Sequence, residues 1–161
     1  MTVAGIAEGS EEASPRVPIF ESQTGQVILM DRIEQSDAEW RKRLTPEQYR
    51  VTRQRGTERA FSGAYHNHHG NGVYRCVCCG IDLYPSTTKF DSGTGWPSFW
   101  APISELNVRH HTETNWFMQR TEIRCAGCGA HLGHAFDDGP PPTGKRHCIN
   151  AVALTFREAM P

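Results

Sequence analysis

Two pairs of cysteines, each with a two-residue spacing, constrain the fold of this chain more than any other feature. The pairs are Cys76/Cys79 and Cys125/Cys128. Each pair is followed by a glycine, Gly80 or Gly129, which allows the positive φ that a tight metal-binding turn needs. Four thiolates fill the tetrahedral coordination of zinc and leave no position for water. The spacing therefore predicts one structural zinc ion rather than a catalytic one.

The distance between the two pairs bears on how the metal is held. They are separated by 45 residues, whereas a compact zinc ribbon has about 15 to 20. We therefore expect the ion to join two separate hairpins. A disulfide-bonded protein with two chance pairs is the alternative, which the spacing disfavours. Cys78 is either a buried thiol without a role or a redox partner for the remaining cysteine.

Cys148 is left over after the zinc ligands are assigned, in the run Arg146-His147-Cys148-Ile149-Asn150. If this run is extended, Arg146, Cys148 and Asn150 project from one face of a strand. A guanidinium beside a thiol favours the thiolate, which is the nucleophilic form. The run therefore predicts a reactive cysteine, with a solvated arginine on an edge strand as the alternative.

Two further segments carry residues suited to a site. His131 and His134 directly follow the second cysteine pair, and an imidazole can act as a general acid near neutral pH, although paired histidines are also common on surfaces. The glycine-rich loop before Trp96 can expose this indole as the wall of an apolar pocket. We expect Phe99 and Trp100 to pack in the core instead.

Length and charge limit the possible partners. The chain has 161 residues, of which 37% are hydrophobic, and a net charge of −1, which fits one domain without a field that attracts nucleic acid or an anionic membrane. It has no apolar stretch of about 20 residues and no basic, apolar leader. Free thiols persist in reducing compartments. We therefore expect a cytoplasmic protein that binds neither nucleic acid nor membrane.

Local patterns predict a mainly β domain over residues 20–161, preceded by a disordered or loosely attached tail over residues 1–19. Capping boxes at Ser36–Glu39 and Thr45–Gln48 predict two short helices. Turn residues recur beyond Gly72 and separate runs that favour strands. The predicted strands are Gly72–Val77, Trp116–Arg124 and Ile149–Phe156.

Five motifs follow one another between residues 44 and 156. They are Cys76-x-x-Cys79-Gly80, Gly93-Thr94-Gly95-Trp96-Pro97-Ser98-Phe99, Cys125-x-x-Cys128-Gly129, His131-Leu132-Gly133-His134-x-Phe136-x-Asp138-Gly139-Pro140 and Arg146-His147-Cys148-Ile149-Asn150. In this order they resemble the B-type methionine sulfoxide reductases. The resemblance implies reduction of the R epimer of methionine sulfoxide, mainly within proteins and more weakly as the free amino acid. It also implies a β-tent-like fold of two antiparallel sheets, with a structural zinc site away from the active site.

By matching position, the resemblance makes Cys148 the nucleophile and Trp96 the wall that holds the methyl group of the substrate. Phe136 would help to shape the pocket. A further set would polarise or protonate the sulfoxide oxygen and position water: His131, His134, Asp138, Arg146 and Asn150. Cys148 would be left as a sulfenic acid, which a thiol must then reduce.

Thr94 stands where many members of the family carry a resolving cysteine. Either an external thiol reduces Cys148 directly, such as thioredoxin or a glutaredoxin and glutathione system, or Cys78 resolves it; we favour the direct route. The expected partners are oxidised proteins and this reductant, acting on a monomer. The alternatives are a non-enzymatic zinc module that binds through the aromatic loop, and a Cys/His hydrolase.

Overall fold

The computed structural model of the protein describes residues 15–114, 116 and 119–160, which contain eleven β-strands and two α-helices. The elements in chain order are β1 (Arg16–Glu21), β2 (Gln26–Asp31), α1 (Asp37–Arg43), α2 (Pro46–Thr52), β3 (Gly72–Cys76), β4 (Asp82–Pro85), β5 (Lys89–Phe90), β6 (Ser98–Phe99), β7 (Val108–Thr114), β8 (Gln119–Cys125), β9 (His131–Phe136), β10 (Arg146–Ile149) and β11 (Leu154–Glu158). Short 3-10 turns lie at Ser86–Thr88, Glu105–Asn107 and Ala151–Ala153. No helix in these ranges is both long and apolar enough to cross a membrane.

The two helices begin at the predicted caps. The Ser36 hydroxyl accepts a hydrogen bond from the Glu39 amide at the start of α1. At the start of α2, the Thr45 hydroxyl accepts from the Gln48 amide while the Gln48 side chain accepts from the Thr45 amide. These bonds satisfy amide groups that have no partner within the helix, and both predicted helices are confirmed.

The strands form three antiparallel sheets. The largest has the order β5-β6-β10-β9-β8-β7, a second has the order β11-β3-β4, and β1 pairs with β2 in a hairpin. The predicted mainly β fold with antiparallel sheets and short N-terminal helices is confirmed. The hairpin is an addition that the sequence did not indicate.

The hairpin also corrects the predicted start of the domain. Strand β1 begins at Arg16, and the side chains of Val17 and Ile19 are buried in the core. Residues 16–19 therefore belong to the folded domain. The sequence did not predict this because so short a segment shows no clear periodicity. Residues 1–14 of the predicted tail lie outside the described residues.

The core lies between the six-stranded and the three-stranded sheet. From β10, His147 and Ile149 point into it, together with Phe99 of β6. The Phe99 ring stacks on Tyr84 of β4 with centroids 4.4 Å apart, and the Tyr84 hydroxyl lies 2.8 Å from Nδ1 of His147. Because side chains alternate along a strand, Arg146 and Cys148 occupy the opposite face of β10.

The predicted strand Ile149–Phe156 is wrong as one continuous element. The chain leaves the large sheet after Ile149, forms the turn Ala151–Ala153 and enters the other sheet as β11. The change of sheet leaves no trace in local hydrophobicity, because buried apolar residues continue through the turn at Ala151 and Ala153 into Leu154 of β11. The predicted strand Trp116–Arg124 appears as Gln119–Cys125; residues 117 and 118 lie outside the described residues.

Candidate active site

Strand register brings the predicted nucleophile next to a histidine. In the antiparallel pair of β9 and β10, Cys148 lies opposite His134, and Arg146 lies opposite Phe136. Directly opposed residues have Cβ atoms about 4.5 to 5.5 Å apart on the same face. Cys148, His134, Arg146 and Phe136 therefore form one patch on the face that points away from the core.

A cavity of about 170 Å³ opens over this patch. Its lining comes from three strands and two loops: Thr57, Trp96, Arg120, Gly133, His134, Phe136, Cys148, Ile149 and Asn150. Five predicted site residues thus meet at one cavity. The other three, His131, Asp138 and Arg146, are not among the residues that line it.

Glu58 holds two of the cavity residues in place through its backbone. Its carbonyl accepts a hydrogen bond from the Trp96 indole N–H at 3.1 Å, and its amide donates to Oδ1 of Asn150 at 2.9 Å. Asn150 also donates through Nδ2 to the Leu132 carbonyl at 3.0 Å. Both the oxygen and the nitrogen of the Asn150 side-chain amide are therefore bound to the protein backbone, which supports a positioning function for this residue.

The environment of Cys148 contains opposing influences on its protonation. Burial raises the pKa of the thiol, whereas Arg146 and the Thr94 hydroxyl lower it, and the net shift is upward. The Arg146 guanidinium is itself paired with Asp138 at 2.9 Å and lies 4.4 Å above the Phe136 ring. Arg146 thus lowers the pKa of Cys148 in the expected direction, but burial has the larger effect and the net shift is upward.

His131 lies behind the cavity and is only 2% exposed. Its Nδ1 is 2.5 Å from Oε2 of the fully buried Glu122, while its Nε2 has no hydrogen-bond partner among the described residues. Burial lowers the pKa of His131, although the Glu122 carboxylate opposes that shift. Burial would raise the pKa of Glu122, but hydrogen bonds and charge from His131 and Arg124 hold it below its usual range.

His134 is the histidine that lines the cavity. Within the part of the chain that the structure describes, its Nε2 has no hydrogen-bond partner, and Oε2 of Glu113 lies 3.6 Å away. Burial lowers the pKa of His134 to about 4. Both the imidazole and the Cys148 thiol are therefore uncharged at neutral pH before a substrate enters.

Four residues of this site were not predicted from the sequence: Thr57, Glu58, Arg120 and Glu122. Strand alternation could have indicated Arg120 and Glu122, which share one face of β8, and Glu122 pairs in register with His134. Thr57 and Glu58 lie in a loop without periodicity. Nothing local distinguishes them from ordinary exposed residues.

Comparison with known proteins places this site in a family. The SelR domain matches residues 44–158. The chain belongs to the SelR-domain family of B-type methionine sulfoxide reductases.

Individual relatives agree with this membership. One is the Arabidopsis thaliana peptide methionine sulfoxide reductase B1, described as chloroplastic, at 61% identity over 96% of this chain and 74% of the relative. Peptide methionine sulfoxide reductases MsrB from a Synechococcus strain and from Methanosarcina barkeri are 56% and 57% identical. These two alignments cover 80% and 78% of this chain and 94% and 88% of the relatives.

This SelR-domain chain also brings its four paired cysteines together. Their Sγ atoms all lie within 4.8 Å of one another, with 3.7 Å between Cys76 and Cys128 and 3.5 Å between Cys79 and Cys125. A tetrahedral zinc ion with Zn–S bonds of about 2.3 Å requires sulfurs about 3.8 Å apart, whereas a disulfide needs about 2.05 Å. The cluster therefore fits a metal ion and not a pair of disulfides.

The backbone of the cluster follows the predicted pattern. Gly80 and Gly129 have φ values of 80° and 75°, and their amides donate to the carbonyls of Cys76 and Cys125. Arg53, directly after α2, donates to the Cys128 carbonyl at 2.9 Å and lies 3.7 Å from its sulfur. Its charge offsets part of the negative charge of four thiolates.

Cys78 lies on the zinc side of the fold rather than in the active-site cavity. It is buried, and its thiol is 3.4 Å from the Thr52 hydroxyl of α2. Its sulfur also interacts with Cys76 and Cys128. This placement favours the interpretation of Cys78 as a buried thiol over that of a redox partner.

Proposed function

We propose that Cys148 is the nucleophile with which this enzyme reduces methionine-R-sulfoxide in oxidised proteins, and more weakly as the free amino acid. The observation that carries the proposal is the position of this thiol in the cavity between Trp96 and Phe136, directly across from His134. The two aromatic rings offer an apolar surface to the methyl thioether group. His134 offers a polar group to the sulfoxide oxygen.

The first step can begin from an uncharged pair. When substrate excludes the remaining water, the Cys148 proton passes to His134, and the resulting thiolate attacks the sulfoxide sulfur. His134 gives this proton to the sulfoxide oxygen as that oxygen moves to Cys148. Methionine leaves, and Cys148 has become a sulfenic acid. One thiol and one sulfoxide thus give one sulfenic acid and one thioether, without another co-reactant.

The remaining predicted residues support this step by their positions in and around the cavity. Glu122 fixes the ring of His131 against His134, with 5.4 Å between the ring centroids. Asp138 and Phe136 hold the Arg146 guanidinium near Cys148, where it stabilises the thiolate once this forms. Asn150 fixes the backbone just after the nucleophile.

The second step requires an external reductant in our proposal. Thr94 lies against Cys148 and offers a hydroxyl in place of a thiol, and Cys78 is buried at the zinc cluster. Two thiol groups of thioredoxin, or of a glutaredoxin and glutathione system, reduce the sulfenic acid to the thiol, with formation of a disulfide and water.

We further propose that the bound metal is one structural zinc ion, since four thiolates favour zinc and leave no open coordination position. The enzyme would act as a monomer in the cytoplasm. A reactive thiol at Cys148 and thiolate ligands for a metal both suit a reducing compartment.

Separated R and S epimers of a methionine sulfoxide peptide test the proposal, with dithiothreitol as reductant and methionine as the measured product. We expect turnover of the R epimer alone. Cys148→Ser should abolish even one stoichiometric turnover, whereas Cys78→Ser should retain it. Turnover of only the S epimer, or full activity after alkylation of Cys148, would favour a different enzyme. Peptide binding that survives alkylation of Cys148, without turnover of either epimer, would favour the non-enzymatic zinc module.

A further inference from the structure

A second cavity lies on the other side of the Trp96 loop. It has a volume of about 240 Å³ and is lined by Phe61, His66, Asn67, Asp91, Ser92, Gly93, Gly95 and Trp96. Trp96 also lines the active-site cavity, so the two cavities share one indole as a wall. Nothing in the chemistry at Cys148 requires this second cavity.

Phe61 is the unusual residue of the second cavity. Its side chain is 63% exposed although it is large and apolar. Its backbone has a φ of 63°, a left-handed conformation that costs a residue with a Cβ about 1 to 3 kcal/mol. Exposure and strain at one aromatic residue indicate that the ring is held outward for a purpose other than core packing.

The Trp96 loop holds Phe61 in this conformation. The Phe61 amide donates to the Gly95 carbonyl at 2.8 Å. A Cβ on Gly95 would lie only 2.7 to 2.8 Å from atoms of Phe61, so the two residues touch as closely as packing allows. The position of Phe61 is therefore coupled to the residue directly before the active-site tryptophan.

The chemistry of the second cavity suits an apolar side chain at the rim of a peptide site. The Phe61 ring packs edge-on against His66, with centroids 5.5 Å apart. Together with Trp96, it provides an aromatic wall, while Asp91, Ser92 and Asn67 supply a polar rim. Extended peptides advance about 3.3 Å per residue. A residue next to the methionine sulfoxide in a peptide substrate can therefore reach from the active-site cavity across the Trp96 indole into the second cavity.

We propose that Phe61 and the second cavity bind an aliphatic or aromatic side chain that flanks methionine sulfoxide in a peptide substrate. This inference rests on the proposed function, because it assumes that the sulfoxide occupies the cavity at Cys148. It adds a selectivity for sequence context and gives protein-bound substrate an advantage over the free amino acid.

Phe61→Asn is the most informative variant, since asparagine tolerates the left-handed conformation and removes only the ring. Three substrates are compared with dithiothreitol as reductant: N-acetyl-methionine-R-sulfoxide methylamide, a peptide with leucine on both sides of the sulfoxide, and the same peptide with glycine. We expect kcat/KM for the leucine peptide to fall about threefold to tenfold. The kcat/KM values for the methylamide and the glycine peptide should remain unchanged. Phe61→Tyr, which keeps an aromatic ring, should retain the preference for the leucine peptide.

Leu29→Ala provides the matched control, because this exposed side chain on β2 lines neither cavity. The inference is overturned if Phe61→Asn lowers all three values equally, which would assign Phe61 to support of Trp96, or if no value changes. It is also overturned if a loss occurs only with thioredoxin as reductant, which would assign the ring to reductant docking. Absence of any wild-type turnover of the methylamide would instead refute the proposed function.

Discussion

The backbone carbonyl of Glu58 accepts a hydrogen bond from the indole N–H of Trp96 at 3.1 Å. Glu58 is only 2% exposed, and its Oε1 atom accepts from the Val152 amide at 2.9 Å. The loop that follows α2 thus joins the Trp96 loop to the turn just after Cys148. The geometry of the cavity depends on this loop as much as on the strands beneath it.

Trp96→Phe tests this connection, because phenylalanine keeps an apolar wall but loses the donor. A neutral hydrogen bond contributes about 0.5 to 1.5 kcal/mol, so we expect kcat/KM for the methionine-R-sulfoxide peptide to fall about threefold to tenfold. Most of the loss should appear in KM, since the wall binds substrate without taking part in proton transfer. Steady-state kinetics measure both constants.

Trp100→Phe is the matched control for this variant, since Trp100 lines neither the active-site cavity nor the cavity beside Phe61. It should leave both constants near their wild-type values. An unchanged KM in Trp96→Phe would mean that the indole N–H does not position the wall.

Local signals account for the parts of the structure that the sequence predicted. The zinc turns and the two helix caps depend on residues within four positions of one another, so their chemistry can be read directly from the chain. The Arg146 and Cys148 alternation on β10 is equally local. Recognition of family motifs added Phe136 and Asp138, and gave specific roles to His134 and Trp96.

Relationships between distant segments escaped the prediction. The Glu58 backbone forms hydrogen bonds with residues 38 and 92 positions away along the chain. No pattern in the sequence of its own loop predicts these bonds. The net direction of the Cys148 pKa shift likewise depends on burial by several elements, whose effect is larger than that of Arg146. Both depend on the completed fold, because neither desolvation nor a distant hydrogen bond follows from neighbours in sequence.

Arg146→Met should raise the pKa of Cys148 further, because the guanidinium lowers the pKa against the effect of burial. A nearby opposite charge shifts a pKa by about one unit or more, so alkylation of Cys148 at pH 7 should slow about tenfold. Asp138→Asn should act in the opposite direction, since it leaves the guanidinium unpaired. The rate of iodoacetamide labelling, followed by mass spectrometry of the Cys148 peptide between pH 6 and pH 10, measures the shift.

The wild-type rate should increase with pH across this whole range, because the pKa of the thiol is raised and the thiolate fraction continues to grow. A plateau near pH 6 would contradict the raised pKa. Equal labelling rates in Arg146→Met and the wild type would show that the guanidinium does not reach the sulfur.

Thr94→Cys should introduce a resolving thiol, because the Thr94 side chain already lies against Cys148. After one equivalent of sulfoxide peptide without reductant, the variant should contain a disulfide between positions 94 and 148. The wild type should instead carry a sulfenic acid at Cys148 that dimedone labels. Mass spectrometry of both products separates the two results.

Thr94→Ser is the control for altered packing in this loop and should keep the sulfenic acid. A disulfide between Cys78 and Cys148 in the wild type would contradict direct reduction by an external thiol. It would require the zinc cluster to open, since Cys78 is buried beside Thr52.

Loss of the proposed metal ion should unfold the protein rather than only inactivate it, because the cysteine cluster that would hold it connects the turn after β3 to the turn after β8. Cys125 is fully buried in the cluster, so Cys125→Ser leaves three thiolates without a complete site. Binding of structural zinc contributes about 10 kcal/mol or more of folding free energy in small zinc domains. We therefore expect Cys125→Ser to be largely unfolded at 25 °C, as judged by near-ultraviolet circular dichroism.

Cys78→Ser should keep one zinc ion per chain by metal analysis and a wild-type spectrum, since Cys78 lies outside the cluster of four. If Cys78→Ser loses the zinc while Cys79→Ser retains it, the ligand set must be reassigned to Cys76, Cys78, Cys125 and Cys128.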